Sequence, residues 1–389
     1  MRKMIEGSRA VAEAVGLCRP GVISAYPITP QTHIVEELSQ MVADGDINAE
    51  YVRVESEHSA ASVCLGAVAA GSRSYSATTS QGMMLMAEVL YNIAGMRLPM
   101  VITGVNRALS APLSIWNDHS DVMSIRDCGW IQIFVENGQE VYDQVFCAYK
   151  MAEKPEVLFP VIINMDGFIL SHVIEPIELI DQEKIDAFLP PYEPLYRLHP
   201  DHPVTMGAFA LPSIFAETKQ AHEVALRASV PHMVDTWKAF GEMTGRHYTP
   251  IETYKAEDAE TLLITMGSFG ETASVAVDMM RQEGRPVGLM KIRLWRPFPF
   301  EDFKKAALRA KRLVVIDRAV SVGGPGGPVA SELKAALFGE DQRPMVYDFV
   351  AGISGRDVSP SDYVNMVDKA EIEIEEGNKE GFEIYGVRG

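Results

Sequence analysis

The sequence predicts an α/β protein built on a doubly wound, mostly parallel sheet, and three observations carry that expectation. Short apolar runs alternate with helix-like segments from residue 8 to about 180, the spacing of βαβ units. A second α/β pattern starts after Tyr254. Polar clusters follow the apolar runs of the first half: Pro27-Ile28-Thr29-Pro30, Glu55-Ser56-Glu57-His58, Thr79-Ser80-Gln81-Gly82, Asn106-Arg107 and Asp166-Gly167-Phe168. They should therefore gather at the carboxyl end of the sheet, where such folds bind ligands.

Taken in order, a helix near Ser8–Cys18 precedes the first strand, Val22–Ala25, and Thr29 follows that strand between Pro27 and Pro30. Each proline fixes its own φ and disfavours helix in the residue before it. Thr29 thus reads as a rigidly presented hydroxyl, or simply as part of a kinked strand-to-helix loop. Helix Thr32–Asp44 leads to strand Tyr51–Val54, and the small, apolar helix Ser59–Ala70 comes next. Strand Ser74–Thr78, helix Met83–Gly95, strand Met100–Thr103, strand Ile131–Val135, helix Glu140–Lys154 and strand Phe159–Asn164 continue the alternation.

From about residue 181 the pattern breaks into proline-rich connection, then a helical stretch over Phe215–Met243 interrupted at Pro231. Thr261–Met266, Val287–Ile292 and Leu313–Ile316 read as strands, Gly267–Gly270 as a tight turn, and Glu271–Gln282 as a helix. The expected boundary lies near 250. It separates residues 1–250, with the extended linker from about 181, from a smaller α/β unit over 251–389. The run Glu371–Glu376 reads as a charged, solvated helix or strand end.

Hydrophobic residues make up 47% and charged residues 23%, with a formal net charge of −18. That acidity argues against nucleic acid or an anionic membrane surface as partner. The N-terminus lacks a signal-peptide apolar core, and no run approaches the roughly 20 apolar residues of a membrane span. A cytoplasmic protein is expected. Cys18, Cys64, Cys128 and Cys147 are widely separated and lie in or beside apolar runs. They read as buried free thiols, since cluster and structural zinc sites need several thiolates at short spacings.

Among candidate site residues, Glu55 and Glu57 lie near the start of an apolar, hence buried, helix. They read either as first-turn acids favoured by the helix dipole or, for Glu57, as a carboxylate entering a sheltered site. Arg107 directly follows a buried strand, where a guanidinium can fork onto a carboxylate or phosphate; a surface loop arginine is the alternative. The loop Pro112–Asp121 carries Asn117, Asp118, His119 and Asp121, weak as a metal set and better read as an ordered, hydrogen-bonded binding loop. His33, His58 and His172 stand alone and read as structural. Val322-Gly-Gly-Pro-Gly-Gly-Pro328 precedes a helix without a P-loop or dinucleotide fingerprint. It reads as a tight turn for domain packing or subunit contact, although glycine amides at a helix start can also cradle an anion.

Together these segments resemble one family. Tyr26-Pro-Ile-Thr-Pro30, Glu55-Ser-Glu-His-Ser59, Ser80-Gln-Gly82, Val105-Asn-Arg-Ala-Leu109 and Ile115-Trp-Asn-Asp-His119 occur in order. Arg126-Asp-Cys-Gly-Trp-Ile-Gln132, Met165-Asp-Gly-Phe168 and Arg293-Leu-Trp-Arg-Pro-Phe-Pro299 follow. Over essentially its whole length the chain resembles the α subunit of 2-oxoacid:ferredoxin oxidoreductases, most closely the pyruvate enzymes. The resemblance implies a pyrimidine-type thiamine diphosphate-binding domain followed by a transketolase C-terminal-like domain. It implies that the coenzyme is shared with a β subunit, and that Mg²⁺ and 4Fe–4S clusters reside in β-, γ- and δ-type partners. Pyruvate would be oxidatively decarboxylated, reversibly, with coenzyme A taking the acyl group and ferredoxin the electrons.

By position, Glu57 matches the glutamate that hydrogen-bonds the aminopyrimidine and supports its acid–base work. Ile28, Ser80 and Gln81 fall among the coenzyme-binding positions. Thr29 matches the threonine that touches the substrate, and Arg107 the arginine that clamps its carboxylate. No Gly-Asp-Gly with a downstream Asn-Asn, the usual Mg-diphosphate signature, is present, in keeping with a split site. Branched-chain, aromatic and 2-oxoglutarate enzymes share much of this pattern, and Ile115 and Trp116 fit a short side chain. A non-catalytic scaffold and a self-sufficient decarboxylase are the competing classes.

Overall fold

The computed structural model describes residues 1–377 and 381–388. In chain order its elements are β1 (Arg2–Glu6), α1 (Gly7–Leu17), β2 (Val22–Ile23), α2 (Thr32–Asp44), β3 (Glu50–Tyr51), α3 (Glu57–Ala69), β4 (Ser74–Thr78), α4 (Ser80–Gly95) and β5 (Val101–Asn106). Then come α5 (Ser120–Ser124), β6 (Ile131–Phe134), α6 (Gly138–Ala152), β7 (Val161–Asp166), β8 (Ile174–Glu178), α7 (Gln182–Phe188), α8 (Pro212–Ala228) and α9 (Val230–Thr244). The remainder comprises β9 (Ile251–Tyr254), β10 (Thr261–Thr265), α10 (Phe269–Gln282), β11 (Val287–Ile292), β12 (Leu294–Arg296), α11 (Phe300–Ala307), β13 (Arg312–Asp317), α12 (Pro328–Leu337), β14 (Met345–Val350), α13 (Pro360–Glu375) and β15 (Phe382–Ile384).

Seven strands form the first sheet, in the order β12-β6-β7-β5-β4-β2-β3. All its pairings are parallel except β12 on β6. The side-chain period of two divides its strands between two apolar layers. Val161 and Ile163 pack with α1 and α6, while Ile162 and Ile102 pack with α3 and α4. Being covered on both faces, these strands read as near-continuous apolar runs.

A second sheet has the order β15-β14-β13-β10-β11-β9, with only β9 antiparallel. One apolar cluster runs from α3 and α4 through Trp130 and Phe134 to Ile264, Ile292 and Trp295, so the two sheets share a core. Strand β12 lies beyond residue 250 yet completes the edge of the first sheet, a crossing the sequence pattern did not show.

Several boundaries move for identifiable reasons. Helix α3 starts at Glu57 rather than Ser59, because Ser56 accepts a hydrogen bond from the Ser59 N–H at 3.2 Å and so becomes the cap. Helix α4 starts at Ser80 rather than Met83. The expected helix over Phe215–Met243 is two helices broken at Ser229. Pro231 sits in the first turn of α9, where no partner for its missing N–H is needed. Strands β2 and β3 are shorter than expected, and an antiparallel ribbon of β1 and β8 is added. Glu371–Glu375 ends helix α13. No described helix is long and apolar enough to cross a membrane.

Candidate active site at the carboxyl end of the first sheet

Parallel pairing brings the ends of β2, β3, β4, β5 and β7 to one edge, and every predicted site residue follows one of those strands or opens the helix after it. Glu57 is the first residue of α3 and is 6% exposed. Its carboxylate lies against Gly82 in the first turn of α4. A Cβ at residue 82 would come within 2.7 Å of Glu57 Oε1 and 2.6 Å of Thr78 Oγ1. Only glycine leaves that room. Among the described residues the Glu57 side chain has no hydrogen-bond or ion-pair partner, although buried carboxylates ordinarily find one.

Arg107 is also 6% exposed. Its Nη1 donates to the Thr29 carbonyl at 2.7 Å and its Nε to the Ser114 carbonyl at 2.9 Å. Nη2 approaches only Gln81 Oε1, at 3.4 Å. No acidic side chain among the described residues forms an ion pair with this guanidinium, and burial pushes its pKa below the ordinary arginine value. A buried cation with neutral partners is costly unless an anion joins it.

Thr29 contributes its carbonyl to this arrangement, while its side chain is exposed. Ile28 is half-buried beside it, and its carbonyl accepts from the Gln31 N–H at 2.9 Å. Ser80 Oγ donates to the Ala108 carbonyl at 2.7 Å and lies 2.6 Å from the Gln81 side-chain amide. Thr29, Gln81 and Arg107 are thus in direct contact, and Ser80 joins them through Gln81. Glu57 sits one residue beyond Gln81, at Gly82. The indole of Trp116 packs on Phe168 with centroids 4.7 Å apart and remains half exposed.

Two neighbouring carboxylates carry the site, and of these the sequence placed only Asp121, as a member of an ordered, hydrogen-bonded loop. Asp166, at the end of β7, accepts from Arg318 Nη1 at 2.6 Å and from the Ser268 N–H at 2.8 Å, and contacts His119 Nε2 at 2.8 Å. Burial alone would raise its pKa. Arg318 and His119 outweigh that and hold the carboxyl far below the usual range. His119 thus belongs to a buried polar network around Asp166 that joins the two halves of the chain, rather than to a metal ligand set with Asp121. The second feature is Asp121, whose carboxylate binds the backbones of Ser80 and Arg107. The Met165-Asp-Gly-Phe168 run was the available signal for Asp166. Nothing local marked Arg318, which lies some 150 residues away.

His33 and His172 are not isolated; their rings are 4.3 Å apart, and His33 Nδ1 contacts Glu6 at 2.9 Å. The glycine-rich turn does open a helix, but its amides face carboxylates of the chain itself. Asp317 accepts from the N–H groups of Val329 and Ala330, and Asp348 from that of Gly327. All four cysteines are buried and free, and burial pushes the Cys64 and Cys128 thiols up to about 12.

Residues 13–250 match the family model described as pyruvate flavodoxin/ferredoxin oxidoreductase, thiamine diphosphate-binding. Residues 259–363 match pyruvate:ferredoxin oxidoreductase core domain II. This chain belongs to the pyruvate:ferredoxin oxidoreductase family. It is 47% identical over 368 residues to pyruvate synthase subunit PorA of Methanosarcina barkeri, covering 94% of this chain and 92% of that one. It is 42% identical to ketoisovalerate oxidoreductase subunit VorA of Pyrococcus horikoshii, covering 97% and 95%. A structure of 2-oxoglutarate:ferredoxin oxidoreductase from Magnetococcus marinus superposes with a TM-score of 0.69 at 21% identity, over 95% of this chain and 65% of that one. That likeness shows the fold.

The chain's own residues fit the thiamine coenzyme that the family model names. Glu57 offers a sheltered carboxylate with no bonding partner among the described residues, over a glycine that leaves its space open. A ring bearing hydrogen-bonding nitrogens would satisfy it.

Proposed function

We propose that this chain is the α subunit of a thiamine diphosphate-dependent pyruvate:ferredoxin oxidoreductase. The complex oxidatively decarboxylates pyruvate to acetyl-CoA and CO₂, reversibly, and passes the electrons to ferredoxin. One observation carries the reading: Arg107 is a buried guanidinium whose partners among the described residues are all neutral, a receptor for the carboxylate of a 2-oxoacid. Glu57, with Ile28, Ser80 and Gln81, holds the aminopyrimidine side of the coenzyme. Bound thiamine diphosphate supplies the reactive thiazolium and the electron sink for carbon–carbon cleavage.

The chain's share of the work is orientation and proton control. Glu57 keeps a proton available at the aminopyrimidine in a water-poor setting. Arg107 fixes the substrate's carboxylate, and Thr29, next to it, borders the oxo group. The diphosphate and Mg²⁺ belong to a β-type subunit, and the 4Fe–4S clusters to β-, γ- and δ-type partners. Supporting that division, the cysteines here are buried thiols with raised pKa values, unlike cluster-forming thiolates. The assembly is cytoplasmic.

The similarity to VorA keeps a second substrate class in play, a branched 2-oxoacid. Trp116 on Phe168 is a bulky wall better suited to pyruvate. Co-purifying the native complex and assaying 2-oxoacids with coenzyme A and a viologen dye tests both readings. Preferred turnover of pyruvate, with iron confined to other chains, is expected; turnover of a branched 2-oxoacid alone would replace the substrate assignment.

A further inference from the structure

We propose that Asp121 is the positioning residue for the substrate-binding guanidinium. Its buried carboxylate ties the backbone of Arg107 to the first turn of α4 and balances the cation without pairing with the guanidinium, so that the substrate's carboxylate can take that place. This rests on the reading of Arg107 given above.

Asp121 is fully buried and sits in the first turn of α5. Its Oδ2 accepts from the N–H groups of Ser80 and Arg107, each at 3.0 Å. Its Oδ1 accepts from the Val122 N–H at 2.7 Å and from Asn106 Nδ2 at 3.1 Å. One carboxylate thus joins α4, the end of β5 and α5. None of its partners is a charged side chain. Its charge acts on Arg107 through space, while the guanidinium itself bonds to the Thr29 and Ser114 carbonyls. A carboxylate paired directly with the guanidinium would fill the fork that a substrate needs.

Ser80 adds a second, independent sign of constraint. Its φ of 47° lies in the left-handed region, which a non-glycine residue adopts at a cost and keeps only when its surroundings over-determine it. The Asp121 bond on its N–H and the bond from its hydroxyl to Ala108 do so. Gln81, which touches Arg107, is fixed by the same turn.

Burial raises the Asp121 pKa to about 6, against the three backbone N–H groups that favour the anion. Asp118, on the same loop, raises it further. Arg107 is the cation facing it, and the other groups in contact are neutral donors. The next carboxylate, Asp166, is held by His119 and Arg318.

The test uses the assembled complex with pyruvate. Asp121→Asn preserves shape but turns one acceptor into an NH₂ that meets donor N–H groups whichever way the amide faces. The expected result is a pyruvate KM raised at least about tenfold, in line with a displaced binding group. Thiamine diphosphate affinity should change less than about threefold. In the native complex the pyruvate KM should rise as pH falls through about 6, where Asp121 takes up its proton, and Asp121→Asn should abolish that limb. An unchanged KM in Asp121→Asn, or a limb that persists in it, overturns the proposal. Should Asp121→Asn fail to assemble, the native profile decides, and a flat KM across that range overturns it. Arg107→Lys separates the two levels. If it leaves KM unchanged, both readings fall; if it raises KM while Asp121→Asn does not, only the role of Asp121 falls.

Discussion

Glu57 and Gly82 occupy complementary space: the carboxylate of one lies where the side chain of the other would begin, 2.7 Å from the Cβ position. Gly82→Ala is therefore expected to displace Glu57 without harming α4, since alanine favours helix by about 1 kcal/mol over glycine. Turnover by the complex should fall at least about tenfold while circular dichroism is retained. Glu57→Gln, which keeps the size and removes the acid, should cost at least about a hundredfold. Near-native turnover in Glu57→Gln would favour the scaffold reading.

Arg107→Lys keeps the charge but loses the planar fork. Loss of a buried, charge-assisted contact typically costs about 2 to 4 kcal/mol, or roughly 30- to 1,000-fold in kcat/KM. The loss should fall mainly on KM for the 2-oxoacid. Steady-state kinetics with coenzyme A held saturating will show it.

Arg318 and Asp166 are 2% and 1% exposed and link the second half of the chain to the end of β7. Removing Asp166 leaves Arg318 buried without this acidic partner, and removing Arg318 leaves the buried Asp166 carboxylate with only His119 and Ser268 among the described residues. Arg318→Met or Asp166→Asn should lower unfolding stability by about 3 to 5 kcal/mol. The double variant should recover part of that loss, which chemical denaturation in a double-mutant cycle will measure. Because the Asp166 pKa is depressed, its contribution is fully present above the unfolded carboxyl value and is lost only in strong acid.

Glu136 behaves in the opposite sense. Burial and the adjacent Glu140 raise its pKa to about 7, more than the 2.9 Å contact with Lys291 lowers it. Lys291 is itself raised and stays charged across this range, so the proton taken up on acidification goes to Glu136. The folded state binds that proton more tightly than the unfolded one. Stability from this group is thus complete below about pH 4.5 and is lost as pH rises through about 7. Glu136→Gln should flatten the fall in melting temperature over that window.

The alternation of apolar runs with helical segments, and the polar clusters after each run, determined the parallel sheet and the edge at which Thr29, Glu57, Ser80, Gln81 and Arg107 gather. Those are short-range signals, written in periodicity and in the residues that end each strand. Helix starts were less legible, because a cap such as Ser56 is defined by where its hydroxyl points. Tertiary structure alone decided that Glu57 faces Gly82, that Asp121 backs Arg107, and that Arg318 and β12 reach across from the second half. Such relationships depend on which chain segments pack side by side, and local sequence periodicity carries no information about contacts between residues 150 apart.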